Sequence, residues 1–238
     1  MVEMLTAMAV TLAATAGAFS LMMQSHGTFA TQSESADMQQ RVRVAADTLS
    51  RELLAAAAPS ASVAPIRPSR AGPVRADPPD TFKSNTITVF RQSPAPGPVQ
   101  SATYWQQDDA ASGTYQLMFY DGSPTGADVP VVDHVVGLAF EYYGTAGSSD
   151  PALTKLTPAQ LTDGPWYPDA AAVDRWDADL LRVRRVAVTL RVEAAAASLR
   201  GPWSALFAHG GTSRGGHAWV PDIEVRFDVS PRSLNLGR

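Results

Sequence analysis

From Met4 to Met23 the chain carries no charged residue, and no other feature restricts its folding so tightly. Met4, Leu5, Met8, Val10, Leu12, Phe19, Leu21 and Met22 are interspersed with alanines and interrupted only by Thr6, Thr11, Thr15, Gly17 and Ser20. At a rise of ~1.5 Å per residue such a run makes about 30 Å of helix, the thickness of a bilayer's hydrocarbon layer. A cleavable signal peptide needs a basic n-region and a shorter apolar core. Glu3 stands where Lys or Arg would be, so a retained transmembrane helix is expected.

The helical pattern continues past the apolar run. After a polar stretch from Gln24 to Asp37, Met38, Val42, Ala45, Leu49, Leu53 and Ala56 recur at three- and four-residue spacing, which places them on one helix face. Arg43, Asp47 and Arg51 stand four apart on the remaining surface, with opposite charges as neighbours. No proline occurs before Pro59. The spacing predicts one helix from Met1 to Ala58, roughly 85 Å long at helical rise. Its first half, residues 1–23, is transmembrane; its second, residues 24–58, is amphipathic and lies against a domain through Met38, Val42, Leu49 and Leu53.

Residues 59–80 are rich in proline and arginine and read as a connecting loop over the surface, locally basic at Arg67, Arg70 and Arg75. From residue 81 to 238 the periodicity changes to two. Ile87 and Val89 alternate with threonines; Ala102 to Trp105 and Tyr115 to Tyr120 are short candidate strands. Val136, Leu138, Phe140 and Tyr142 line one strand face, Val186, Val188, Leu190 and Val192 another, and Ile223, Val225, Phe227 and Val229 a last. Strands in succession without long helices between them imply a mostly antiparallel sheet with one face buried. The fold class expected is α+β, one long N-terminal helix on a β-rich head.

The chemistry this composition excludes is equally informative. With 19 basic against 23 acidic residues the net charge is −4, which argues against strong nucleic-acid binding by phosphate neutralisation. The absence of cysteine removes disulfides and thiolate metal sites. Gly211-Thr212-Ser213-Arg214-Gly215 matches a nucleophile elbow, with His209 and His217 nearby, but that motif needs a strand before it and a helix after it. Here it lies in a glycine loop followed by Ala218-Trp219-Val220, and a structural turn is the better reading. Asp121-Gly122-Ser123 with Asp128, and Asp108-Asp109, offer oxygen ligands without a calcium-loop spacing, and read as turns. His26, His134, His209 and His217 form no helical metal pair. Arg182, Arg184 and Arg185 read as a solvated strand edge or as partners of acids such as Asp177 and Asp179. No catalytic residue, metal or cofactor is expected.

Met1-Val2-Glu3-Met4-Leu5-Thr6-Ala7-Met8-Ala9-Val10 resembles the start of the mature type IV pilins and type II secretion pseudopilins, with Met1, Val2 and Glu3 on the family's Leu, Val/Ile and Glu positions. The segment Gln39 to Ala58, with Arg51-Glu52-Leu53-Leu54-Ala55-Ala56 near its end, is similar to PilW-like minor pilins and J-type pseudopilins. The family's leader and its Phe-Thr pair are not among these residues, and the expectation is a late start codon or a trimmed chain.

The resemblance implies a structural minor pilin in the bacterial inner membrane with a periplasmic head, then in a pilus near its tip. The alternatives are a J-type pseudopilin and, in another class, a membrane-anchored periplasmic binding module. It implies other pilins or pseudopilins, the inner-membrane assembly platform and the prepilin peptidase as partners. Glu3 would neutralise the N-terminal amine of a neighbouring subunit, and Met4, Leu5, Met8, Leu12 and Phe19 would line the membrane and filament helix.

Overall fold

The computed structural model describes residues 2–57, 64–72, 76–78, 81–91, 100–109, 114–147, 150–162, 166–167, 176–200 and 220–231. Its first element, α1 (Val2–Leu54), is one uninterrupted helix of 53 residues. The helix stops at Leu54, short of the Ala58 expected from the first proline. Ala55 and Ala56 tighten onto the Glu52 and Leu53 carbonyls at 3.1 and 3.2 Å, and the Ala57 N–H then donates to the Phe90 carbonyl at 2.9 Å. A strand captures the chain before Pro59 can act, because that bond satisfies a donor the helix would otherwise use.

The strands are β1 (Ile66–Arg67), β2 (Thr86–Arg91), β3 (Gln100–Asp109), β4 (Thr114–Tyr120), β5 (Val129–Asp133), β6 (Val135–Gly147), β7 (Asp150–Lys155), β8 (Trp166–Tyr167), β9 (Trp176–Asp177), β10 (Val183–Val192) and β11 (Ile223–Val229). Every pairing between them is antiparallel. Where one sheet was expected, two form: β1-β2-β3-β4-β5, and β11-β10-β6-β7, with β8 and β9 as a separate short pair. The helix and these antiparallel sheets make the fold α+β.

One residue accounts for the division into two sheets. His134 sits between β5 and β6 at φ 61°, a left-handed conformation that costs a side-chain-bearing residue energy and breaks the strand's path. Residues before it pair with β4 and residues after it pair with β10. A bend of this kind is how a strand leaves one sheet for another. The corner is held by the Glu193 N–H donating to the His134 carbonyl at 3.0 Å, and by the Thr114 hydroxyl on the buried Glu193 carboxylate at 2.5 Å.

Just beyond the corner, Val135 pairs with Val192 and Gly137 with Arg191, so Val136 is an extra, bulged residue. The bulge shifts the pattern by one. Val135, Leu138, Phe140 and Tyr142 are buried, whereas Val136, which strict alternation puts on the inner face, is only half-buried. On β10, Val186, Val188, Leu190 and Val192 are all fully buried, in line with their spacing. On β11, Ile223, Val225 and Phe227 are half-buried, because β11 is the edge of its sheet.

The chain divides into two compact units, Met1–Gln39 with Ala194–Asp222, and Gln40–Glu193 with Ile223–Arg238. In the first, the Glu34 carboxylate accepts the Ala195 N–H at 2.5 Å, and Arg200 donates to the Ala194 and Ala195 carbonyls at 2.6 and 2.8 Å. In the second, Val42, Ala45, Leu49, Leu53 and Ala56 share one core with Ile87 and Val89 of β2, Leu138 and Phe140 of β6, and Val186, Val188, Leu190 and Val192 of β10. The C-terminal part of α1 is therefore packed on both sheets. Tyr142 is fully buried there against Phe82, ring centroids 6.2 Å apart, and burial pushes its phenol well above the usual range.

The proline-rich connection is less exposed than a solvated loop. Ala64, Ile66, Ser69 and Ala71 are buried, and Ile66–Arg67 pairs with β2 as an edge strand. This explains why the threonines of β2, expected to face water, are buried on the sheet's outer side. Thr88 donates to the Ser69 carbonyl at 2.7 Å, accepts the Ala71 N–H at 3.2 Å, and lies 2.8 Å from the Thr103 hydroxyl. Thr88→Val keeps the shape but strands the loop's two backbone groups. It is expected to cost about 1–3 kcal/mol, read as a lower urea midpoint with unchanged slope.

Candidate assembly surface

The part of α1 that the protein itself does not cover is the candidate functional surface. Val2–Met22 is long and apolar enough to cross a membrane, and unburied. Val2, Met4, Leu5, Met8, Val10, Leu12, Phe19, Leu21 and Met22 are exposed by between 58% and 75%. Each large side chain forgoes roughly 1.5–3 kcal/mol by remaining in water.

The threonine hydroxyls in this span bond the helix's own carbonyls. The Thr6 hydroxyl donates to the Glu3 carbonyl at 2.9 Å and Thr11 to the Ala7 carbonyl at 2.8 Å; Thr15 bonds the Thr11 carbonyl. Hydroxyls turned back on the helix need no water, which suits a hydrocarbon environment. Around Gly17 there is open space where a side chain would be. Glu3, in the first turn, is the sole formally charged side chain from Val2 to Met22, and the positive end of the helix dipole favours a carboxylate there.

Of the residues expected to join helix to sheet, Val42, Leu49 and Leu53 lie in the shared core, and Met38 is fully buried in the first unit. Arg51 does not reach the Asp47 carboxylate in a helical ion pair; its Nε donates to the Asp47 backbone carbonyl at 3.2 Å.

On the head, the residues singled out for chemistry have structural partners. Arg70 lies over the Trp105 ring at 3.9 Å and the Tyr120 ring at 5.6 Å, with Nη2 on Asp128 at 2.5 Å. It clips the loop to a small outer cluster of Trp105, Met118 and Tyr120, a role that only the tertiary structure shows. Asp121 accepts the Ser123 N–H at 2.9 Å, which makes Asp121-Gly122-Ser123 a turn, with Gly122 at φ 74°. Asp108 and Asp109 lie in β3 opposite Tyr115 and Thr114. Among the described residues no group of three His, Asp or Glu is placed to hold a metal ion. Arg184 is the extra residue of a second bulge, and Arg185 stacks over Tyr143 at 4.3 Å with Asp228 at 3.7 Å. Ser213, His209 and His217 lie outside the described residues.

The solvent face of the four-stranded sheet carries a charge network that the alternation alone did not reveal. Glu141 accepts from Lys155 at 2.6 Å, from the Tyr143 hydroxyl at 3.0 Å and from Arg226 at 2.6 Å. Chiefly the Lys155 bond holds its carboxyl below the usual range; burial, next in size, opposes it, and the Tyr143 bond and the charges of Lys155 and Arg226 add to the lowering. A lowered folded value means stability that is complete above the unfolded value of about 4.3 and is lost as pH falls through the folded one. Glu141→Gln is expected to flatten this part of the acid limb, so urea midpoints of wild type and variant should converge between pH 7 and about pH 3.

Compared with protein-family models, with curated proteins and with solved structures, the chain matches none.

Proposed function

We propose that this chain is a structural minor pilin, held in the bacterial inner membrane by the first half of α1, with its head periplasmic, and built into a type IV pilus through that same helix. One observation carries the reading: the uncovered apolar span of Val2–Met22 opens on a carboxylate. In hydrocarbon the favourable helix dipole offsets only part of the cost of burying an acid, and a partner on a neighbouring helix supplies the rest. Pairing Glu3 with a cationic group on a neighbouring helix removes two desolvation penalties together and sets the axial register between helices. In this reading the work is assembly, with other pilins as partners and the inner-membrane platform and prepilin peptidase as the machinery.

The chain has no cysteine, so single introduced thiols report neighbours cleanly. With cysteines at Met8 and at the matching helix position of each candidate neighbouring pilin, oxidation in native membranes is expected to join the two thiols in a disulfide. Glu3→Ala should lower that yield about tenfold, equivalent to 1.4 kcal/mol of association, while leaving the protein in the membrane fraction. Unchanged cross-linking in the variant would remove the assembly role from Glu3, and no cross-linked neighbour at all would leave a membrane anchor only.

A further inference from the structure

The sheet edges of the head are not alike. β1 is two residues long between Pro65 and Pro68. β5 contains Pro130 and a bulge opposite Leu117 and Met118, and β7 contains Pro151 and an irregular register with β6. Short strands, prolines and bulges are the devices that stop an edge from recruiting another strand. β11 is the least blunted: Pro221 and Pro231 lie outside it, and Ile223–Val229, without proline or bulge, pairs with Val192–Val186 in unbroken register and, among the described strands, has β10 as its one neighbour.

The direction of its backbone groups follows from the ladder. The Phe140 N–H donates to the Ser84 carbonyl at 2.7 Å, so Phe140 turns its backbone away from β10. Its partner across the ladder, Val188, then turns toward β11 and exchanges bonds with Phe227. By alternation, the N–H and C=O groups of Glu224, Arg226 and Asp228 point out of the sheet. Their side chains are exposed, whereas Ile223, Val225 and Phe227 continue the half-buried apolar face.

We infer that the β11 edge pairs antiparallel with β11 of a second copy of this chain, joining two four-stranded sheets into one. The charges choose the register. With the two-fold axis at Val225, Arg226 faces Glu224 of the second copy; with the axis at Phe227, it faces Asp228 of the second copy. An axis at Arg226 would oppose two arginines and set Glu224 against Asp228, which disfavours it. Arg226 already donates to Glu141 through Nη2, and its guanidinium has further N–H groups for a second carboxylate. This self-association concerns the head and goes beyond the helix-mediated role proposed above.

Single-cysteine variants of the full chain, purified in detergent micelles and mildly oxidised, test it. One of Val225→Cys and Phe227→Cys is expected to form a disulfide-linked dimer about tenfold more than Val129→Cys, a control on the exposed part of β5. Adding Arg226→Pro, which removes an outward N–H and leaves the β10 ladder intact, should return the yield to the control with the melting temperature little changed. Arg226→Glu should lower it as well, with rescue by Glu224→Arg in the Val225 register or by Asp228→Arg in the Phe227 register. Yields at the control level for both cysteines, dimers that persist with Arg226→Pro, or charge reversal without rescue would each overturn the proposal.

Discussion

Leu12→Arg is expected to move the protein out of the membrane fraction. Leu12 is central in the Val2–Met22 span and largely exposed, so the change removes little burial among the described residues. On an insertion scale a central Leu contributes about −0.3 to −0.6 kcal/mol and Arg about +2.5 to +3.5, a difference on the order of 3–4 kcal/mol or a few hundredfold in partition. The span is rich in alanine and threonine, so it has little surplus apolarity to absorb that change. Membrane and soluble fractions compared by immunoblot, after a carbonate wash, give the readout. Retention of Leu12→Arg at wild-type level would mean that the span does not hold the protein in a bilayer. Because Leu12 is largely exposed, the thermal melt of the head should stay put, which separates failed insertion from failed folding.

Leu49→Ala is expected to act in the opposite place. Leu49 is fully buried where α1 meets both sheets, and truncating it leaves a cavity as well as losing apolar burial. The cost is about 2–5 kcal/mol, a large share of the stability of one domain. Val44→Ala, one and a half turns away and 39% exposed, should cost no more than about 0.5 kcal/mol. Urea midpoints of the two variants against wild type measure the contrast. Equal losses would mean that the helix does not present the Leu49 face to the core.

The helix was legible from residues alone because its signals are local. An uncharged run and a spacing of three and four are properties of neighbouring residues along one element, and they mark both the uncovered span of Val2–Met22 and the buried face of Val42, Leu49 and Leu53. The strands of β10 and β11 were legible for the same reason. What failed were inferences that needed a second element. Val136 lost its place on the inner face because His134 turns left-handed and the following bulge inserts a residue, and neither is encoded by alternation. The threonines of β2 are buried because the proline-rich connection lies over them. The end of α1 moved to Leu54 because Phe90 offers a carbonyl there.

The candidate surface divides along the same line. Glu3 and the apolar span are visible in the first residues, since charge and apolarity are carried by the residue itself. The network of Glu141, Lys155, Arg226 and Tyr143, and the open edge of β11, join residues far apart in sequence. By itself, then, the sequence determined an uncharged span headed by one acid, an amphipathic continuation and a set of strands. Only the tertiary structure decided that those strands form two sheets, which loop covers which face, and which strands have a single neighbour among the described residues. Pairing partners, bulges and sheet order depend on non-local contacts, and period-two alternation is the same whichever strand lies alongside.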